Sequence, residues 1–141
     1  MFNQDAYNAC DSTAKNALRE YLDSKGIYTI VHEDYGPDIK SIQEVLHEVE
    51  IKSTWIGREW PDNWRTVHIP ARKKRLLGGK RIIFWVMNSD CTSAFMIEGN
   101  KMSDKYIKNI PNSRYPDGED FYDLPVAIGK FVDITTGAGS L

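Results

Sequence analysis

Two cysteines in 141 residues, Cys10 and Cys91, leave no disulfide framework, and neither stands in a CxxC pair or a Cys/His spacing that chelates zinc. The three histidines, His32, His47 and His68, are scattered singly. Each reads as a structural or surface residue, and no histidine-based mechanism stands out. No uninterrupted apolar run approaches the ~20 residues of a membrane helix, so no membrane partner is expected. The start of the chain, Met1-Phe2-Asn3-Gln4-Asp5, has neither a basic segment nor an apolar one, from which an intracellular, cytoplasmic protein is expected. An excess of positive charge is lacking too. With 18 Lys and Arg against 20 Asp and Glu, the net charge of -2 excludes a protein that coats nucleic acid, because such affinity comes from cations neutralising phosphates. Any nucleic-acid contact must be local.

What is present suits one α/β domain spanning residues 1–141, with 41% hydrophobic and 27% charged residues. Ala14, Ala17, Leu18 and Tyr21, with Ala6 and Cys10 before them, recur at three- and four-residue spacing and predict a helix from Asp5 to about Ser24, closed by Gly26. Ile27 to Val31 reads as a strand, and a second strand should begin at Asp38 after the turn Glu33 to Pro37. Val45 to Lys52 ends in strict polar/apolar alternation, predicting a third strand with Val49 and Ile51 inward. Further on, the pattern predicts a short strand Thr66 to Ile69, a helix Ala71 to Leu77, a buried strand Arg81 to Met87 and its partner Ser93 to Ile97. Ser103 should cap a short helix running to Ile110, and Phe121 to Leu124 a last strand; residues 136–141 read as a flexible tail. A central mixed sheet flanked by helices is the expected architecture.

Within this frame, Asp38, Glu50 and Lys52 carry the chemistry. If the strands at Asp38 and Lys52 form a hairpin turning near Glu44, Asp38 lies opposite Glu50, and cross-strand carboxylates ~4.5–5.5 Å apart at Cβ can share one hard divalent cation. Period two puts Lys52 on the same face as Glu50, ~6.7 Å along the strand and within reach of the same water. The other reading of Glu48, Glu50 and Lys52 is the solvated face of an edge strand, with Asp38 a turn residue.

Pro37-Asp38 at the start of one strand, Glu50-Ile51-Lys52 at the end of the next and a helix ahead of both resemble the PD-(D/E)XK nuclease superfamily, which includes restriction endonucleases and Holliday-junction resolvases. The resemblance covers residues 5–97 in order of elements. It implies a single restriction-endonuclease-like domain and a metal-dependent DNA endonuclease that hydrolyses phosphodiester bonds. By that likeness Asp38 and Glu50 ligate Mg²⁺ (Mn²⁺ as substitute), the carbonyl of Ile51 is a further ligand, and Lys52 orients the attacking water. Some relatives add a glutamate from the first helix, which here would be Glu20. A homodimer would let two such sites cut two strands.

Arg72, Lys73, Lys74 and Arg75, continued by Lys80 and Arg81, place six cations in ten residues of a net acidic chain. They read as a DNA-binding helix that holds phosphates, or as an exposed charged face. Trp55, Trp60 and Trp64, with Arg58 and Arg65, read as core or dimer contacts before base-stacking ones. The main alternative to a nuclease is a DNA-binding or assembly module that keeps the fold without catalysis. A small-molecule enzyme has no Gly-rich phosphate loop or Ser/His pair to support it.

Overall fold

A periodic apolar stripe needs a surface to bury it, and in the computed structural model that surface is a sheet. The structure describes residues 4–27, 29–31, 39–41, 45–111 and 116–134. Helix α1 runs Gln4–Ser24. Ala14, Leu18 and Leu22, four residues apart, are buried, and Ala17 and Tyr21 pack beside them. Gly26 stops the helix at φ 77°, where the Ile27 N–H donates to Leu22 O (2.9 Å) and the Gly26 N–H to Asp23 O (3.0 Å). These two bonds satisfy carbonyls the last turn leaves open, and the positive φ suits a residue with no Cβ.

Strands β1 (Thr29–Val31), β2 (Ile39–Ser41) and β3 (Leu46–Ile51) form an antiparallel meander. Ile39 pairs with His47 and Lys40 with Leu46, one pleat away from the expected hairpin, in which Ile39 would have faced Val49. Because side chains alternate with period two, that shift leaves each residue on its expected face. After a crossover that contains β4 (Thr66–Pro70), β5 (Ile82–Met87) returns parallel to β3, Glu50 beside Val86. Next come β6 (Ser93–Glu98), β7 (Ile107–Ile110), β8 (Glu119–Pro125) and β9 (Lys130–Asp133). The six-stranded mixed sheet has the order β1-β2-β3-β5-β6-β9, and β4-β8-β7 make a second, antiparallel sheet.

All six residues of β5 are buried, as the unbroken apolar run predicts, because each face of the strand meets a different core. Ile83, Trp85 and Met87 pack with α1, while Ile82, Phe84 and Val86 pack with Val67, Ile69, Tyr122 and Leu124 of the second sheet. The fold is thus mixed α/β with two sheets and few helices. A central mixed sheet flanked by helices was expected; among the described residues α1 is the one α-helix, and a second sheet covers the other face.

Two expected helices are something else. Ala71 to Leu76 is a 3₁₀ helix, not an α-helix reaching Leu77. Six residues, four of them cations in a row, are too few to repay α-helix nucleation and bury little on their own. Ser103 does cap, its Oγ accepting from the Lys105 N–H (3.4 Å), but the helix is a single 3₁₀ turn, Asp104–Tyr106, and the chain then extends as β7. Pairing with β8 satisfies the backbone of 107–110 in place of helical bonds. β9, which no pattern predicted, pairs with β6 through Phe95–Phe131. Pro37, Asp38 and the expected tail 136–141 lie outside the described residues.

Candidate functional site

Alternation along β3 sends Val49 toward α1 and therefore turns Glu48 and Glu50 to the opposite face, alongside Phe84 and Val86. β3 lies between β2 and β5, so it is no edge strand, and the solvated-face reading of Glu48 falls with that: Glu48 is 3% exposed. Its neutralising partner comes from the crossover. The Lys73 ammonium bonds Glu48 Oε2 and stands 3.0 Å from Glu50 Oε1, while Arg72 reaches Glu50 at 4.0 Å and Glu119 at 3.4 Å. Burial alone would pull the Lys73 pKa down, but the charges of Glu50 and Glu48 outweigh it and hold it above its ordinary value. The ammonium therefore stays charged between the two carboxylates.

Past Glu50, the Lys52 N–H still bonds Met87 O (2.8 Å), so the ladder carries Lys52 one residue beyond the end of β3. Its ammonium lies over the Trp64 ring, 5.0 Å from the centroid, and burial lowers its pKa. Trp64 is itself fastened, since the Trp60 indole donates to its carbonyl (2.6 Å) and the two rings meet edge to face at 5.0 Å. The tryptophans of this connection are thus packed together, Trp55 fully buried.

Glu50 and Lys52 open onto a pocket of about 260 Å³ where the end of β3 meets the second sheet. Ile51, Val86, Ile110 and Phe121 line it with them, and so does His68. His68 Nε2 stands 2.9 Å from Asp123 Oδ1, and the other Asp123 oxygen meets Lys108 Nζ at 3.0 Å. A hydrogen bond from Thr66, the hydrogen-bonded Lys108 ammonium and the neighbouring His68 ring keep the Asp123 carboxyl below its ordinary pKa, against the effect of burial.

Of the residues singled out by sequence, Glu50, Ile51 and Lys52 come together at this pocket. Asp38 lies outside the described residues. Glu20 is not brought to it: it is exposed on α1, which covers the other face of the sheet. The basic run is divided among carboxylates. Lys73 is held as described, Lys74 bonds Asp104 (2.8 Å) and Arg81 bonds Glu98 (3.1 Å from Nε to each oxygen), while Arg75 and Lys80 are exposed. Lys73, expected to face phosphates, is instead 12% exposed with its charge turned inward.

Sequence reasoning passed over Glu48, His68 and Asp123. Glu48 had a legible signal, its two-residue spacing from Glu50. His68 had a weaker one, its place in a strand between buried Val67 and Ile69, since the partner that orients it is 55 residues away.

Among the described residues no three His, Cys, Asp or Glu side chains are grouped to hold a metal ion. Of the expected Mg²⁺ ligands, Glu50 and the Ile51 carbonyl are the two that the described residues bring to the pocket, and a cation there would share or displace the Lys73 ammonium on Glu50. The donor set fits a hard cation in part and needs a further oxygen ligand to complete it. Comparison with protein-family models, curated proteins and solved structures finds no match to this chain.

Proposed function

We propose that the chain is a metal-dependent nuclease of the PD-(D/E)XK kind, cleaving DNA phosphodiester bonds at the pocket where β3 ends. The observation that carries this is the convergence of Glu50 and Lys52 on one pocket at the end of the third strand. The order of elements supports it: a helix, three antiparallel strands, then a crossover to a strand parallel to the third. A restriction-endonuclease-like domain is the finer fold reading that goes with this order.

In this reading Asp38, Glu50 and the Ile51 carbonyl hold Mg²⁺, which when bound polarises the phosphoryl oxygen. Lys52, half-buried and steadied by Trp64, donates hydrogen bonds to the attacking water and to the charge that develops on the phosphoryl group. Arg72, exposed beside Glu50, binds a flanking phosphate. Incubation of the protein with supercoiled, linear, single-stranded and branched DNA, with Mg²⁺ or Mn²⁺ against EDTA, tests the reading. Glu50→Ala and Asp38→Ala should each abolish most of the metal-dependent cleavage, and Lys52→Ala should lower the rate by ~10²–10³. No cleavage of any of these substrates by the wild-type protein overturns it.

One observation favours a second reading, a DNA-binding or assembly module without catalysis. Lys73 already pairs with both the Glu48 and the Glu50 carboxylates, as a purely structural ion cluster would. Under it, DNA is bound with the same affinity in EDTA and is never cut.

A further inference from the structure

The cleavage of a phosphodiester leaves an alkoxide, which departs slowly unless it is protonated as the bond breaks. Glu50 and Lys52 belong, in the reading above, to the metal and the incoming water. Among the described residues that line the pocket, the remaining side chain that can hand over a proton is His68, supplied by the second sheet. Its setting is that of an oriented acid. In the antiparallel ladder of β4 and β8, His68 is directly opposite Asp123, and the imidazole Nε2 lies 2.9 Å from Asp123 Oδ1. Lys108 from β7 holds the other oxygen at 3.0 Å, so the carboxylate is fixed from both sides. A carboxylate accepting from Nε2–H sets the tautomer, steadies the imidazolium and leaves Nδ1 as the ring nitrogen not engaged by that pair. The Phe121 ring, 5.8 Å from the imidazole centroid, limits where the ring can swing.

We propose that His68, positioned by Asp123, is the general acid of this pocket and protonates the departing oxygen of a phosphodiester. The inference rests on the nuclease reading of the same pocket and adds its second half: sheet one activates the entering group and sheet two the leaving group. In the step, the water oxygen bonds to phosphorus as the bond from phosphorus to the leaving oxygen breaks. The imidazolium proton goes to that oxygen, giving an alcohol. The proton shed by the water passes to solvent, from which the imidazole is recharged, and no electrons are exchanged. Among the described residues, the charges around His68 in this step are Asp123 on β8, Lys108 on β7 behind it, and Glu50 and Lys52 at the end of β3.

The test compares two substrates with the full-length protein and Mg²⁺: a DNA oligonucleotide, whose leaving group is a poor alkoxide, and a nitrophenyl phosphodiester of thymidine, whose leaving group departs unprotonated. His68→Gln should slow DNA cleavage by ~10²–10³ and slow the nitrophenyl ester far less, under about tenfold. The descending limb of the rate at high pH should disappear with DNA as substrate, because a general acid works only while protonated. Asp123→Asn should lower the DNA rate by an intermediate factor and displace that limb. Circular dichroism of each variant checks that it is folded. Equal losses on both substrates assign His68 a structural role and overturn the inference while the nuclease reading stands. Cleavage of DNA by His68→Gln at the wild-type rate overturns it as well. If the wild-type protein cuts neither substrate, the nuclease reading fails first and takes this inference with it.

Discussion

On one side of β3, Val49 lies with Leu18, Leu22, Trp85 and Met87 under α1; on the other, Glu48 and Glu50 lie beneath Lys73. The apolar side and Glu48 are removed from water, by opposite means, and Glu50 is partly so where it opens onto the pocket. The first is stabilised by loss of apolar surface from solvent, roughly 25 cal/mol per Å². The second places the Glu48 carboxylate, with Glu50 beside it, in a low-dielectric site, which costs free energy that the Lys73 ammonium helps to offset. Replacing a buried charge pair by well-packed apolar side chains is often neutral or stabilising. The charges are thus where local stability yields to something else, and the pocket beginning at Glu50 is the natural candidate for what that is.

The largest test of the contrast is at Lys73. Lys73→Met removes the ammonium from the buried Glu48 carboxylate and should cost about 3–5 kcal/mol in urea unfolding. Lys73→Met combined with Glu48→Met should recover most of that loss, because it is the uncompensated charge and not the lost volume that destabilises. An equal loss in the single and double variants would break the contrast. On the apolar side, Leu18→Ala should cost about 2–5 kcal/mol by opening a cavity beneath α1, with no change in metal or DNA binding. A change in binding would mean that the two faces are coupled.

His47 is the exception on the α1 side, polar in an apolar layer, where its Nδ1 accepts from the Trp85 indole N–H (3.0 Å). Burial, helped by the Arg81 cation and opposed by Glu98, pushes its pKa down from 6.5 to about 4. The folded state therefore binds fewer protons than the unfolded state between those values. The stability from keeping His47 neutral is full above the unfolded pKa and declines as pH falls toward 4, by about 3 kcal/mol in all. His47→Gln, which still accepts from Trp85, should remove this part of the acid sensitivity in unfolding measured from pH 7.5 to pH 4. The same pH dependence in variant and wild type would refute it. The smallest effect is expected at Arg81, whose pair with Glu98 lies at the surface: Arg81→Ala should change stability by less than about 1 kcal/mol, and less still in high salt. The difference from Lys73 measures what burial does to the same kind of ion pair.

Much of this organisation was legible in the residues. The alternation of Val49, Glu50, Ile51 and Lys52 told which side chains share a face, and a register one pleat from the expected one left that intact. The burial of Glu48 was not legible, because alternation describes a strand and says nothing of what lies on either side of it. Nor was the pairing of the basic run. Four adjacent cations look the same whether they meet phosphates or carboxylates, and Lys73 finds its partners 25 and 23 residues back along the chain. His68 was set aside as a solitary histidine for the same reason, its partner Asp123 being 55 positions distant.

By itself the sequence determined what depends on neighbours within a turn or a pleat: the apolar stripe of α1, its stop at Gly26, the continuous burial of β5 and the common face of Glu48 and Glu50. The tertiary structure decided what depends on distant partners. It set a second sheet against the face of the first that α1 leaves open and drew 107–110, expected to be helical, into a strand beside β8. It also turned Lys73 inward onto two carboxylates and brought His68 to the pocket of Glu50 and Lys52. Backbone geometry imposes the first kind of order at short range, where periodicity records it. The second kind arises when buried polar groups must find partners, and those partners are chosen by the folded arrangement of the whole chain.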